Sequence, residues 1–539
     1  MFIKITRSGK YQYAQLVQSY RKEGATKHKV LLNLGRLDQI ENNPSFQNLA
    51  RRLVELSRAK EVANLSNISE AEIVNWGYVV YKKIWQQLGI DQTLRRVAAT
   101  GKTQFDLSNA CFLMAVQHLL EPRSKLGTYN HQQRYINLPP AELNHLYRSL
   151  DTLCNHKELL EQELFDRNRN LFNMKVDVVF FDVTTFSFES VRADTLREFG
   201  FSKDGKFNEV QVVLALLVDC EGRPVGYELF PGNTFEGDTL EGALEKLKKR
   251  FGIRQVIIVA DKGINRKLNL KRIADKDYNY IVAARIKGMK KKIIEEIFAD
   301  GYTELPGPEE TIRCKVIDYI NEVKEGNKKY RLEEKLIITY SPKRAKKDKA
   351  DRERLIKKAE SLLSSKAKVK ASYKRGGRKY LKEVGSTDWV LDEEAIAKDE
   401  RFDGYYGIQT NLKDLKVQDI LDAYHTLWKI EESFRIMKST LEVRPIFHWT
   451  EPRIKGHFVV CFLAFLLERT LEFKLKQANE RASPEQIRES LNTLNFAEVE
   501  LAGTRYLVKT RATDLAKKIV RIMRIKPPKN ITPAGELHL

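Results

Sequence analysis

The sequence predicts an α/β fold in which one mixed sheet is flanked by helices. Three observations lead to this prediction. Short apolar segments rich in β-forming residues follow one another from residue 175, a turn sequence joins two of them, and amphipathic helix patterns occur between and after them. The turn EGRP makes the second and third segments a hairpin. The five predicted strands are VDVVFFDV, EVQVVLALLVD, VGYELFPG, RQVIIVADKG and YNYIVAARI.

The region before this sheet contains two kinds of pattern. KYQYAQLVQSYR alternates and HKVLLNLG ends at Gly35, so both are expected to form strands. DLSNACFLMAVQHLL has apolar residues at helical spacing, and Asp106 is a plausible N-cap for that helix. AELNHLYRSLDTLCNHKELLEQELFDRNRNLF continues as helix. Between the third and fourth strands, GDTLEGALEKLKKRFG predicts an amphipathic helix that Gly252 ends.

After the fifth strand the pattern is interrupted. TIRCKVIDYI and EKLIITYS predict strands, KADRERLIKKAESLL predicts a basic helix, and Gly376 belongs to a Gly-Gly turn. A long helix is expected over 416–441, and HFVVCFLAFLLERTLEFKL is apolar on nearly every side, which is typical of a buried helix. The tail from about residue 480 is polar, and we expect the Pro-rich segment at its end to be loosely ordered.

A chain of 539 residues is too long for one hydrophobic core, so we expect about three or four domains. The core is divided in two by the inserted mostly-β segment. The predicted segments are a small β unit (1–40), a helical accessory region (41–170), the first part of the core (171–286), the basic insertion (287–412), the second part of the core (413–478) and a C-terminal region that could serve dimerisation (479–539).

The net charge of +22 and the pI near 9.5 point to polyanionic partners, chiefly nucleic acid. Residues 341–382 hold 17 Lys and Arg against 4 acids. Binding to nucleic acid and a solvated helix face with a loop explain this basic segment equally well.

Several other classes of protein are disfavoured. The longest apolar run, 458–467, is too short to cross a bilayer, which takes ~20 residues. The N-terminus MFIKITRSGK lacks the apolar region of a signal peptide, so we expect a cytoplasmic protein that associates with the nucleoid. The five cysteines are far apart and form no CxxC pair, which argues against disulfides and zinc knuckles.

Two aspartates follow apolar strand segments. Asp182 is preceded by VVFF and Asp261 by VIIVA, so each is expected to close a strand. Ligand sites of α/β proteins lie at such strand ends, and two such aspartates could share one cleft. Each aspartate alone is explained more simply as the first residue of a turn.

A third carboxylate lies on the helix predicted at 416–441. At 100° per residue, Tyr424, Glu431 and Lys438 lie on nearly one line, and Arg435 lies within about 40° of it. An apolar stripe runs beside this line, so Glu431 is expected at the edge of the buried face. An i,i+4 ion pair with Arg435 explains the charges on the helix but not the two strand-end aspartates.

Three converging carboxylates would suit a hard divalent cation. Mg²⁺ prefers oxygen ligands and keeps waters and substrate phosphates in its shell. Two such ions about 4 Å apart can activate a nucleophile and stabilise the leaving oxygen in phosphodiester attack. Nearby Lys and Arg would hold the DNA backbone. The nine histidines show no spacing that competes for such a metal.

These residues carry a family resemblance. FFDVTTF around Asp182, VIIVADKG around Asp261 and YHTLWKIEESFRIMK around Glu431 resemble the DDE transposases of bacterial insertion sequences, in the insertion-sequence-four group. Further stretches, including GYELFPGNTFEGDTL and RFDGYYGIQTN, resemble the branch typified by insertion sequence 1634. The resemblance covers about residues 1–475. It implies a ribonuclease H-like catalytic core with an insertion before the Glu helix.

The resemblance also implies roles for individual residues. Asp182, Asp261 and Glu431 would bind two Mg²⁺ ions, for which Mn²⁺ would substitute, and carry catalysis. Tyr424 and Lys438 would contact DNA phosphates. Leu427 stands where the group's Tyr-Arg-Glu-Lys signature has Arg, which removes one expected phosphate contact that Arg435 could replace.

Three further residues have competing interpretations. Trp389 in the insertion could stack on a flipped base, although a role in a hydrophobic core is favoured. Glu432 is the rival of Glu431, but it points about 100° away from the Tyr424 line. Asp177 is the rival of Asp182, but five residues along a strand put it on the opposite face.

The expected activity is cleavage at the terminal inverted repeats of an element and strand transfer into target DNA, by a homodimer on double-stranded DNA. Three alternatives remain from the sequence. The chain could be a nuclease of the same fold that does not transfer strands, an inactive DNA-binding descendant of a transposase, or a structural basic protein.

Overall fold

The computed structural model describes most of the chain. The residues outside the description are 23–24, 41–42, 57–70, 102, 172–177, 189, 191, 201–207, 220, 235–241, 244, 247–248, 252–256, 261–264, 307–310, 365–368, 370–376, 385–387, 415, 426–427, 444–445, 502–503 and 539. For 178–183 and 428–430 the backbone alone is described. The predicted helix end at Gly252, the Gly-Gly turn at Gly376 and the rival carboxylate Asp177 lie outside the described residues.

The chain divides into two units. The first comprises residues 1–72, 497–508 and 530–537, and the second comprises 73–496, 509–529 and 538–539. In the first unit, strands β1 (Phe2–Ser8), β2 (Tyr11–Lys22) and β3 (Ala25–Arg36) form an antiparallel sheet in chain order. Helices α1 (Leu37–Ile40) and α2 (Pro44–Leu56) follow.

The second unit begins with a helical region. Its described helices are α3 (Val79–Gln87), α4 (Ile90–Thr100), α5 (Leu107–Leu120), α6 (Lys125–His131) and α7 (Leu143–Leu171). The short strand β4 (Glu72–Asn75) precedes them. The Asp106 side chain accepts a hydrogen bond from the Asn109 N–H, which confirms the predicted N-cap of α5.

The central sheet has nine strands. They are β5 (Val178–Ser187), β6 (Gln211–Val218), β7 (Pro224–Pro231), β8 (Ile257–Ala260), β9 (Asn279–Ala283), β10 (Thr303–Pro306), β11 (Thr311–Glu325), β12 (Lys328–Tyr340) and β15 (Tyr405–Thr410). Their order is β10-β11-β12-β15-β9-β8-β5-β6-β7.

The sheet is mixed, as predicted. Strands β5, β8 and β9 are parallel neighbours, whereas β6 and β7 form the predicted antiparallel hairpin beside β5. Helix α8 (Lys267–Asp275) connects β8 to β9. This arrangement of the five strands fits a ribonuclease H-like core. Every residue of β6 is buried, because helices and neighbouring strands cover it on both sides.

The insertion differs from the separate subdomain expected over 287–412. Four of its strands continue the central sheet, since β15 pairs with the β9 edge through Ile408 and Ala283. An apolar strand such as β9 needs a partner on each side, and β15 supplies the second. Helices α9 (Lys291–Phe298), α10 (Pro342–Leu363) and α11 (Glu393–Glu400) and the hairpin of β13 (Leu381–Val384) with β14 (Asp388–Leu391) complete the insertion.

Most of the helix expected at 416–441 is described, and residues 426–427 within it lie outside the described residues. The described segments are α12 (Val417–His425), α13 (Trp428–Arg435) and a π-helical turn at Ile436–Thr440. Steps of 100° per residue therefore do not apply beyond Arg435, and the straight line from Glu431 to Lys438 was wrong in that respect. The apolar stripe is confirmed at its described members Phe434, Met437 and Leu441, which are buried.

Helix α14 (Glu451–Gln477) is buried along most of its length, as predicted for HFVVCFLAFLLERTLEFKL. It packs against α3, α5 and α7. At Gly456, a Cβ atom would lie 2.0 Å from the carbonyl oxygen of Leu150 on α7. A glycine is therefore required for the close approach of these two helices. No helix among the described residues is long and apolar enough to cross a membrane.

The Pro-rich end of the tail, which we expected to be loosely ordered, includes a short strand at Ile531–Pro533, and the tail before it also folds into regular elements. That part of the chain contains α15 (Pro484–Asn492), β16 (Asn495–Leu501), β17 (Thr504–Lys509), α16 (Asp514–Ile522) and β18 (Ile531–Pro533). Ser483 and Gln486 form a capping box at the start of α15. Ile487, Leu491 and Ile519 are fully buried, so short apolar stripes within a polar segment suffice to order it.

Candidate active site

The sequence predicted that Asp182 closes a strand. Asp182 instead lies in the middle of β5. The strand continues to Ser187, because residues 183–187 pair with β6 down to Gln211. Asp182 pairs across the strands with Leu216. Thr184 and Phe186 stand two and four residues after Asp182 on this strand, and both are buried.

The parallel pairing of β5 with β8 is described as far as Phe180. The described partners are Val178 with Ile257, Val179 with Ile258 and Phe180 with Val259. In each pair the residue numbers differ by 79, as do those of Asp182 and Asp261. Asp261 itself lies outside the described residues.

Glu431 lies in the first turn of α13 and is exposed. Helix α13 packs against β5, the strand that carries Asp182. The expected ion pair between Glu431 and Arg435 does not form. Instead, the guanidinium of Arg435 lies 3.5 Å from the carboxylate of Glu432. Among the described residues, Glu431 has no hydrogen bond or ion pair, so its oxygens are available to a ligand.

Glu432 has a structural role in this arrangement. Its carboxylate lies 3.1 Å from the guanidinium of Arg469, which is buried on α14. The same guanidinium donates a 3.3 Å hydrogen bond to the Ser433 hydroxyl and pairs with Glu472. Arg469 thus holds α13 through Glu432 and Ser433 on its buried side, whereas Glu431 is exposed to solvent.

Lys438 lies beside β5, the strand that contains Asp182. Its ammonium is 5.7 Å from the centre of the Phe186 ring, and Phe186 is four residues after Asp182 in the strand. The π-helical turn carries Lys438 on its third residue. Such turns change the direction of side chains within a helix and occur often at functional sites.

Tyr424 forms a contact that the sequence did not predict. Its hydroxyl lies 2.5 Å from the hydroxyl of Tyr406 on β15. The Arg344 guanidinium of α10 lies 4.3 Å from the centre of the Tyr406 ring. The insertion is therefore joined to α12 through Tyr406, which lies in the RFDGYYGIQTN stretch but was not expected to have a role of its own.

The remaining expected DNA-binding residues lie in different surroundings. Arg435 is exposed apart from its contact with Glu432. Trp389 packs in the hydrophobic cluster of the insertion with Ala359, Tyr380 and Leu381, and Arg378 lies 4.5 Å from its ring centre. Leu427, the departure from the family signature, lies outside the described residues.

A second group of potential metal ligands lies apart from the carboxylates. His118, His457 and Cys461 are buried with their ligand atoms within 4.8 Å of one another. The Lys125 ammonium lies 3.2 Å from His118 Nε2, and burial raises the pKa of the Cys461 thiol to about 12. A nearby cation and a protonated thiol both disfavour a metal ion, so we do not assign one to this group.

Four of the five cysteines lie among the described residues. Cys111, Cys314 and Cys461 are buried, Cys154 is half-buried, and all four are free thiols. Burial raises the pKa of each of these thiols, so they remain protonated near neutral pH.

Comparison with known families agrees with this fold. Residues 174–467, more than half of the chain, match the transposase DDE domain. The protein is therefore a DDE transposase, a class whose catalysis depends on divalent metal ions and whose substrate is DNA. Residues 3–64 match the N-terminal domain of IS1634 family transposases. The chain belongs to this IS1634-like branch of insertion-sequence transposases. No curated protein sequence matches it.

Proposed function

We propose that the protein cleaves DNA at the terminal inverted repeats of its element and joins the freed ends to target DNA. The observation that carries this proposal is the offset of 79 residues between paired positions of β5 and β8, which equals the separation of Asp182 and Asp261. If the pairing continues by two residues, the two aspartates are neighbours on adjacent strands.

Glu431 would be the third member of this site. It is exposed, it has no described partner, and its helix packs on β5. Three carboxylates provide hard oxygen ligands, which fit Mg²⁺ and also Mn²⁺. When bound, two such ions would activate the nucleophile and neutralise charge on the phosphate under attack.

The protein's own residues would hold the DNA strand. Lys438 beside Phe186, and Tyr424 held by Tyr406, would contact phosphates on either side of the scissile bond. Arg435 would approach the strand from the exposed side of α13. We assign Trp389 to the packing of the insertion, because its ring lies within the hydrophobic cluster there.

Two reactions would follow at this site. In the first, a water oxygen bonds to the phosphorus at the end of the element, the bond from phosphorus to the 3′-oxygen breaks, and a 3′-hydroxyl is left. In the second, that 3′-oxygen bonds to a phosphorus of the target, and the target's own 3′-oxygen leaves. The first step releases about one proton when the new 5′-phosphate ionises. In the second step the proton of the attacking 3′-hydroxyl is replaced by one on the leaving 3′-oxygen of the target, so no net proton is released. Two ends must be joined together, so we propose that a homodimer acts.

The test is cleavage of a labelled duplex that carries the element's terminal repeat, with Mg²⁺ or with EDTA. The intact protein should cut at the repeat end only with Mg²⁺ and should give strand-joined product, whereas Glu431→Gln should give neither. Cutting without joining would favour a nuclease of the same fold. Binding without metal-dependent cutting by the intact protein would refute the proposal and favour an inactive DNA-binding descendant.

A further inference from the structure

A cavity of about 440 Å³ lies behind the end of the helix that carries Glu431. Its wall includes Glu442, which follows the π-helical turn and has a positive φ of 45°. The other walls come from the end of α5, the start of α6, α7 and α14. The cavity is therefore built from the helical region and from the segment that directly follows the π-helical turn.

Two histidines fix the backbone at this point. His118 Nδ1 lies 2.9 Å from the carbonyl oxygen of Leu441, and His457 Nε2 lies 3.0 Å from that of Val443. A carbonyl oxygen only accepts, so each of these nitrogens must donate its N–H. His118 Nε2 and His457 Nδ1 consequently carry lone pairs. His457 Nδ1 is buried and has no described hydrogen-bond partner.

Lys125 lies at the base of the cavity and is 4% exposed. Its ammonium donates to the lone pair of His118 Nε2 at 3.2 Å. That imidazole is neutral, since burial lowers the pKa of His118 to about 3. Among the described residues, no carboxylate lies within ion-pair distance of Lys125, although Glu442 also lines the cavity. A buried ammonium without a counter-ion is costly, and a bound anion would offset that cost.

Arg123 provides a second cation on the same wall. One terminal nitrogen of its guanidinium pairs with Glu121, while its Nε is buried without a described partner. The cavity also has an aromatic side. Phe447 is 61% exposed, and Tyr147 makes an edge contact with His448. A cavity that has cationic side chains on one side and aromatic rings on another is suited to a nucleotide. The phosphate of a nucleotide is anionic, and its nucleobase stacks on aromatic rings.

We propose that this cavity binds one nucleotide of the DNA substrate, with its phosphate against Lys125 and Arg123 and its base against Phe447. The proposal rests on the proposed function for the source of the nucleotide. It adds a contact that is separate from the carboxylates. Because His118 and His457 hold Leu441 and Val443, an occupied cavity would also restrain the segment that follows the Glu431 helix.

The first test uses dTMP and inorganic phosphate as probes, with the shift of the thermal unfolding midpoint as the readout. Both probes should stabilise the intact protein. Lys125→Met should weaken the affinity for both probes by about tenfold or more, as expected for the loss of hydrogen bonds to a charged group. Phe447→Ala should weaken the binding of dTMP but leave the binding of inorganic phosphate unchanged. Phe447 is exposed, so this variant tests the proposal even if Lys125→Met does not fold.

The control is Lys517→Met, which removes one exposed positive charge from α16. It should bind both probes as the intact protein does. Equal binding of dTMP by the intact protein, Lys125→Met and Phe447→Ala would overturn the proposal, as would the absence of any dTMP binding by the intact protein.

The second test uses the terminal-repeat duplex and separates the two proposals. Lys125→Met should weaken duplex binding and reduce its log–log salt slope by about 1, whereas Lys517→Met should leave both unchanged. Normal cleavage together with unchanged binding by Lys125→Met would refute the nucleotide site alone. Binding of dTMP that depends on Lys125, without any cleavage by the intact protein, would refute the transposition reaction and leave the site standing.

Discussion

The guanidinium of Arg469 lies 3.1 Å from the carboxylate of Glu432, the residue next to the proposed catalytic Glu431. One of two adjacent glutamates therefore holds the helix, while the other is exposed. Although the two carboxylates are adjacent in the chain, they have different partners. Their roles can therefore be separated by substituting each residue in turn.

We expect Glu431→Gln to abolish cleavage and leave the thermal midpoint unchanged, since the residue is exposed and has no described partner. Glu432→Gln should keep measurable cleavage but lower the free energy of unfolding by about 1–2 kcal/mol, because Arg469 loses a charged partner. Cleavage assays and chemical denaturation of both variants check this. Equal loss of activity with no change in stability for Glu432→Gln would contradict the assignment.

Tyr406 is expected to act as a positioning residue for Tyr424. Tyr406→Phe removes one hydrogen bond of about 1 kcal/mol and should reduce cleavage by about three- to tenfold. Duplex affinity should change less, because Tyr406 is not assigned to the DNA. The matched control is Tyr405→Phe, whose ring packs in the neighbouring cluster. The same loss of cleavage in both variants would mean that the hydroxyl pair has no part in positioning.

Lys125 should make stability depend on pH in a defined direction. Burial lowers the pKa of Lys125 to about 8 from 10.5, so the unfolded chain binds more protons between these values. Stability therefore rises as pH increases from about 8 to 10.5. At pH 7 the cost of the buried charge is about 3 kcal/mol.

Lys125→Met should consequently be more stable than the intact protein at neutral pH, and this advantage should shrink towards pH 10.5. Denaturation curves at several pH values measure the difference. A constant difference across the range would contradict the prediction, because it would mean that folding leaves the pKa of Lys125 unchanged.

Trp389→Phe should lower stability and leave cleavage within about twofold of that of the intact protein. The substitution takes contact area from the cluster around Tyr380, which costs about 1–2 kcal/mol. Val390→Ala, at an exposed neighbouring position, is the control and should change neither property. A large loss of cleavage at unchanged stability would instead support stacking of Trp389 on a flipped base.

The strands of the core could be predicted because their apolar character is local. VVFF, QVVLALLV and IIVA are each recognisable without knowledge of their neighbours, and the EGRP turn fixes the hairpin. The continuation of β5 beyond Asp182 was missed. A charged residue in a strand resembles a strand end, unless the partner strand is known.

Contacts between distant segments could not be predicted. Tyr406 and Tyr424 lie on β15 and α12, and Lys125 is joined to His118 across the turn between α5 and α6. No spacing in the sequence marks such pairs. The π-helical turn was also missed, because it depends on how the residues after Arg435 are held by the surrounding helices.

The continuous sheet has a consequence for engineering the protein. Since β15 completes the pairing of β9, the insertion cannot be removed or exchanged without exposing an edge of the core sheet. Its removal would leave the backbone groups of Ile281, Val282 and Ala283 unpaired along an apolar edge. Such an edge promotes self-association between molecules. A shortened transposase would therefore have to keep β15 or replace it with another pairing strand.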